Sequence, residues 1–255
     1  MNGGRNMSGD FKGLTAVVSG AGSGIGLAVA RSLHAQGAQV FGLDLNEGDM
    51  SEVATWVPCD VGDTAKVKAA FDQIAEHTDT IDILINNAGI GAIGSIEDST
   101  DEEWHRVLNI NVVSISRVST AAMPFLRKSS CPSIVNTCSI AATVGLPSRA
   151  VYSASKGAVM SLTLAMAADG VKEKIRVNCV NPGTADTPWI GRLLAKASDP
   201  AAEREKLQAR QPIGRLVTPE EVASAIIYLS HPGQSSTTAT VLAVDGGMNG
   251  LRLPH

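Results

Sequence analysis

The chain has few cysteines and no close pair of them. Cys59, Cys131, Cys138 and Cys179 are the only four in 255 residues, and none makes a CxxC. That excludes a disulfide framework and fits reduced thiols in a cytoplasmic protein. Basic residues are not in excess either. Lys and Arg number 21 against 25 Asp and Glu, a net charge of −4, which gives no basic face for a nucleic-acid backbone. Long apolar runs are missing too. None reaches the roughly 18 residues that span a bilayer. The most apolar helix candidate, Ala150 to Ala168, carries Lys156 and several serines. His34, His77, His105, His231 and His255 have no metal-ligand spacing, so no metal is expected. The opening MNGGRNMSGD is polar and glycine-rich, which suggests a loose tail over residues 1–10 and not a leader.

What remains is a chain with 44% hydrophobic and 18% charged residues, ordinary for a globular protein, with 25 glycines gathered in motifs. Short β-branched runs alternate with helical patterns. Strands are expected at Leu14–Ser19, Gln39–Asp44, Val53–Val57, Ile81–Asn86, Ser133–Cys138, Ile175–Asn181 and Thr240–Val244. Helices are expected at Ile25–Gln36, Thr64–His77, Asp101–Arg127 and Ala150–Val171, with another opened by a capping box at Thr218-Pro219-Glu220-Glu221. Seven strands in this rhythm predict an α/β, Rossmann-type doubly wound parallel sheet in one domain, residues 11–255. Residues 184–217 interrupt the rhythm, with a helix expected from Asp199-Pro200. A connection that long is usually functional, and this one is placed to cover bound substrate.

Gly20, Gly24 and Gly26 follow the first strand in the spacing GxxxGxG, with Ser23 and Ile25 between them. A tight turn opening a helix suits a pyrophosphate, because free N–H groups and the positive end of the helix dipole face it. Asp44 ends the second strand, where a carboxylate accepts ribose hydroxyls and repels a 2′-phosphate. Leu45 beside it supplies no cation, so NAD is expected over NADP. Asp60 and Val61 follow the third strand, and Asn87, Ala88 and Gly89 the fourth, at the same sheet edge.

Tyr152 and Lys156 stand four apart on one helix face. A phenol titrates near about 10, and an ammonium beside it favours the phenolate. Ser139 ends a strand, where its hydroxyl can polarise a carbonyl oxygen. With NNAG at 86–89, Asn111, Ser139, YSASK at 152–156 and PG at 182–183, the chain resembles the short-chain dehydrogenase/reductase family over residues 12–248. The resemblance implies that Tyr152 exchanges the substrate proton and that Lys156 holds the nicotinamide ribose. It implies that Ser139 binds the reacting oxygen and Asn111 anchors a water linked to Lys156. Pro182, Gly183 and Thr187 would shape the nicotinamide pocket. It also implies a homo-oligomer, often a tetramer. Ser19 and Cys138 depart from the usual Thr and Ser, at positions expected to stand clear of the chemistry.

A narrower resemblance, through NPGTADTPW and ARQPIGRLVTPEEV, is to the subgroup with 2-keto-3-deoxy-L-fuconate and cytosolic 3-hydroxybutyrate dehydrogenases. It implies a hydroxy-acid or sugar-acid substrate held by Arg149 and Arg210. A third arginine of that subgroup falls at Leu193, beside Arg192, and Ile90 to Gly94 replace a histidine-bearing stretch. Two other readings stay open: a 3-oxoacyl thioester reductase, which Asp44 disfavours, and a non-catalytic NAD-sensing protein on the same fold.

Overall fold

The computed structural model describes residues 10–195 and 197–253. The expected tail, apart from Asp10, lies outside them. Seven parallel strands form one sheet in the order β3-β2-β1-β4-β5-β6-β7. They are β1 (Thr15–Ser19), β2 (Gln39–Asp44), β3 (Thr55–Pro58), β4 (Ile83–Asn86), β5 (Ser133–Thr137), β6 (Arg176–Pro182) and β7 (Val241–Val244). Each of β1, β4, β5 and β6 is buried along its whole length, as expected of strands covered on both faces. The order reverses between β1 and β4. A crevice therefore opens there at the C-terminal edge, where ligands bind in this architecture.

Helices α1 (Gly24–Ala35) and α8 (Pro219–Ser230) cover one face, packing Leu27, Val29 and Leu33 with Val222, Ile226 and Leu229. The other face carries α2 (Thr64–Ala75), α4 (Ser114–Leu126) and α5 (Ala150–Gly170), which bring Phe71, Ile74, Val118, Leu126 and Ala167 onto the sheet. Each large apolar side chain so buried contributes about 1.5–3 kcal/mol. The helix ends follow the sequence. Thr218 and Glu221 make the reciprocal capping box, and Gly37 follows α1 with φ +93°.

Two expectations need correcting. The single helix over Asp101–Arg127 is α3 (Asp101–Leu108) and α4, joined by a π-helical turn at Asn109–Val113. Such a bulge widens the helix locally, and apolar periodicity does not reveal it. The long connection 184–217 holds two helices rather than one: α6 (Pro188–Leu194) and α7 (Pro200–Ala209). Ile190, Leu194, Leu207 and Leu216 give it a small core of its own.

One buried charge ties β6 to the far end of α8. Arg176 is 7% exposed. Its guanidinium donates to the main-chain carbonyls of Leu229, Ser230, His231 and Thr237 at 2.6–3.3 Å. Burial pulls its pKa below the ordinary value. The last carbonyls of α8 and one from the following turn thereby gain donors they would otherwise lack.

Candidate active site

A cavity of about 810 Å³ opens along the C-terminal edge of the sheet. Gly20, Ser23, Gly24, Ile25, Asp44, Leu45, Asp60, Val61, Asn87, Ala88 and Gly89 line it, as do Ser139, Tyr152, Lys156, Pro182, Gly183 and Thr187. Arg149 and Arg210 line it too. Gly26 and Asn111, also singled out from the sequence, do not. Gly26 is a packing position: a Cβ there would stand 2.0 Å from the Gly20 carbonyl oxygen. Gly20 itself has φ +67°, which favours glycine.

The start of α1 is open. Ser23 is its N-cap, yet makes no side-chain capping bond, so the first N–H groups are left to the cavity. Across from it, the Asp44 carboxylate accepts from Gly22 N at 2.9 Å and from Asn46 N at 3.4 Å. Each carboxylate oxygen keeps a lone pair for a diol. Leu45, 65% exposed, places no charge beside it. An uncapped helix end with a fixed carboxylate opposite fits the pyrophosphate and ribose of a dinucleotide.

Beyond the sheet edge, Ser139 is the N-cap of a 3-10 turn, and its Oγ accepts from Ala141 N at 3.2 Å. Its proton is thus free for a carbonyl or alkoxide oxygen. Lys156 is 5% exposed and donates to Thr137 O at 2.9 Å, with Nζ 5.8 Å from the centre of the Tyr152 ring. Asn111 is 1% exposed. Its Oδ1 accepts from Ile90 N at 2.8 Å, and its Nδ2 donates to Ile90 O at 2.9 Å and Ser155 Oγ at 3.0 Å. Both amide protons are used, so the side chain braces the strand end after β4.

Arg149 is half-buried at the N-cap of α5. A bridge to Gly94 holds its backbone, and the Ser148 carbonyl accepts from its Nη1 at 2.9 Å. Burial, then the like charge of Arg210, lowers its pKa. Both guanidiniums border the same cavity. Arg192 and Leu193, adjacent on α6, both line it as well.

Sequence reasoning missed three contributors. Ser19 Oγ accepts from Asn87 N at 3.0 Å and Ala88 N at 3.1 Å and donates to Ile85 O at 3.3 Å, fixing the end of β4. Cys138 packs on α5, its Sγ 3.1 Å from Lys156 O. Neither departure stands clear of the machinery, as was expected of both. Trp189 is the third: a Cβ on Gly91 would fall 2.2 Å from its indole. Trp189 thus fills the space left by the missing side chain of Gly91, and only that glycine could have signalled it.

Parallel sheet order, glycine turn and the Ser-Tyr-Lys edge together define a nucleotide-dependent oxidoreductase of the Rossmann type. A family model described as enoyl-(acyl carrier protein) reductase matches residues 20–249. The chain is 36% identical to 2-(S)-hydroxypropyl-CoM dehydrogenase 3 of Xanthobacter autotrophicus, covering 96% of this chain and all of that protein. It is 39% identical to cis-4-hydroxycyclohexanecarboxylate dehydrogenase of Sinomonas cyclohexanicum, over 91% and 95% of the two chains. Ligand-free aldohexose dehydrogenase of Thermoplasma acidophilum superposes with a TM-score of 0.90 at 32% identity, covering 96% of this chain and 99% of that one. The chain belongs to the short-chain dehydrogenase/reductase family. It is an oxidoreductase of CH–OH groups that works with a nicotinamide cofactor.

Proposed function

We propose that the protein is an NAD-dependent dehydrogenase of a secondary alcohol that carries an acid group, a hydroxy acid or sugar acid. The observation that carries this reading is the pair Arg149 and Arg210, which line the same cavity as Tyr152. Arg204 and Arg215 nearby are paired with Asp186 and Glu221, whereas no ion pair holds Arg149 or Arg210 among the described residues. A guanidinium without a carboxylate of its own suits a substrate acid. Cis-4-hydroxycyclohexanecarboxylate, named for one relative, has this form. Asp44 and Leu45 support NAD over NADP.

Bound at this edge, the nicotinamide supplies the hydride acceptor. The chain's own residues do the rest. Ser139 donates a hydrogen bond to the reacting oxygen. Tyr152 takes the hydroxyl proton through its phenolic oxygen, with the Lys156 ammonium stabilising the negative charge. Arg149 and Arg210 hold the acid group and so aim the reacting carbon. Asn111 acts by bracing Ile90, and Pro182, Gly183 and Thr187 bound the nicotinamide side. Residues 184–217 close over the substrate. The protein works in the cytoplasm as a homo-oligomer, a tetramer. Exposed Val113 and Leu164 and the half-covered edge strand β7 support association, and a monomer in sedimentation would refute it.

The test is a screen of hydroxy acids, sugars and steroids, following NADH absorbance with NAD and with NADP. The best acid is then compared with its amide for the parent protein, Arg149→Met and Arg210→Met. Each variant is expected to lose on the order of 2–5 kcal/mol in kcat/KM on the acid and little on the amide, because the carboxylate would lose one of its two cations. Equal use of acid and amide by the parent protein would refute the acid group and favour a neutral substrate such as a sugar.

A further inference from the structure

Ser155 lies between the two residues that carry the chemistry, but takes no part in lining the cavity. Its side chain is fully buried. The hydroxyl donates to Tyr152 O at 2.7 Å and accepts from Asn111 Nδ2 at 3.0 Å. Ser230, another buried helix hydroxyl, bonds only within its own turn, donating to Ile226 O at 2.8 Å, whereas Thr163 donates to Val159 O at 2.8 Å and also accepts from Asn136 Nδ2 of β5 at 2.9 Å. Such back-bonding is common and local. Like Thr163, Ser155 joins its helix to a second element, but that element is the π-helical turn and the joint lies between Tyr152 and Lys156.

The bond has a particular place in the molecule. Asn111 grips Ile90 through both amide ends, so it fixes the strand end after β4 to the π turn. Its third bond fixes the π turn to α5. Gly89 sits in the gap: a Cβ there would be 3.2 Å from Asn111 Oδ1 and 3.6 Å from Lys156 Nζ. The spacing between the Gly89–Ile90 backbone and the Tyr152–Lys156 turn is therefore set by one amide and one hydroxyl. A π turn with the amide left buried and unpaired can relax back toward α geometry, which would shift that spacing.

We propose that Ser155 is a positioning residue of the reaction: through Asn111 it holds Tyr152 and Lys156 at their working distance from the main chain of Gly89 and Ile90. This inference rests on the roles given above to Tyr152 and Lys156.

The experiment measures kcat, the KM for NAD, NAD binding by fluorescence and thermal unfolding on the parent protein, Ser155→Ala, Ser155→Cys, Asn111→Ala and the Ser155→Ala/Asn111→Ala double variant. The acid with highest parent turnover in the screen is the substrate. Ser155→Cys fills nearly the same space with a weak donor and acceptor, which keeps the test open if Ser155→Ala does not fold. A displacement of about 1 Å at a reacting group lowers rate about a hundredfold, so kcat is expected to fall about tenfold to hundredfold in Ser155→Ala and less in Ser155→Cys. The KM for NAD should stay within about threefold, since uniform binding is untouched. In the double variant the loss should scarcely exceed that of Asn111→Ala alone, as for two residues acting through one contact. Additive losses, parent-like turnover in both serine variants, or equal loss of NAD binding and turnover would each overturn the proposal. Absence of turnover in the parent protein itself would instead overturn the assignment of Tyr152 and Lys156, and this inference with it.

Discussion

The two halves of the cavity are built from different material. At the glycine turn the chain presents main chain: uncapped N–H groups at the start of α1 and strand ends locked by Ser19. Across 184–217 it presents side chains, Trp189, Arg192 and Leu193 on α6 and Arg210 at the C-cap of α7, around a small core. A site made of backbone tolerates almost no change where a Cβ would strike a carbonyl, as at Gly26. A site made of side chains has no such backbone constraint at Arg192 and Leu193, which both line the cavity. The cofactor half is thus fixed by geometry, and the substrate half by chemistry that several sequences could supply.

The sharpest way to break this contrast lies where the halves meet. Tyr152→Phe keeps the ring and removes the proton carrier, so kcat should fall on the order of 10²–10⁴-fold while NAD still binds. A variant that keeps most of its turnover would remove Tyr152 from the chemistry. A smaller effect is expected at the cofactor end. Asp44→Ala with Leu45→Arg should move the kcat/KM preference toward NADP, by about 1–3 kcal/mol for the lost and gained hydrogen bonds. Tighter binding of NADP than NAD by the parent protein would contradict the role of Asp44. The smallest effect is one of motion. Hydrogen exchange in α6 and α7 should slow when NAD and substrate are both present, and stay unchanged around Gly20–Gly26 beyond the effect of NAD alone. Unchanged exchange across 184–217 would count against closure.

The same contrast explains what could be read from sequence. Gly20, Asp44, Ser139, Tyr152 and Lys156 were legible because their motifs need those residue types at fixed spacing, and all five line the cavity. The strand pattern and the capping box of α8 were legible for the same local reason. The π turn was not, because Asn111 within it meets partners 21 and 44 residues away, which local periodicity does not show. Trp189 was hidden likewise: its partner is a glycine far away in the chain. Ser19 and Cys138 were underrated because a hydroxyl or thiol at a strand end gives no sign of which backbone it meets.

Arg176 has a bearing on how the chain reaches this state. Its acceptors lie 53 to 61 residues further along the chain, at the end of α8 and in the turn before β7. None of those carbonyls is in reach until the loop between them has closed, and long-range closure comes late and at entropic cost. The bond therefore belongs to the finished fold and not to its beginnings. Replacing Arg176 with Lys should quicken unfolding and leave the folding rate nearly unchanged, and an equal slowing of folding would place the contact in the nucleus. A planar fork that reaches four carbonyls at once acts as a clasp. It joins β6 to the end of α8 and to the approach to β7, so this edge of the molecule is expected to open as one unit.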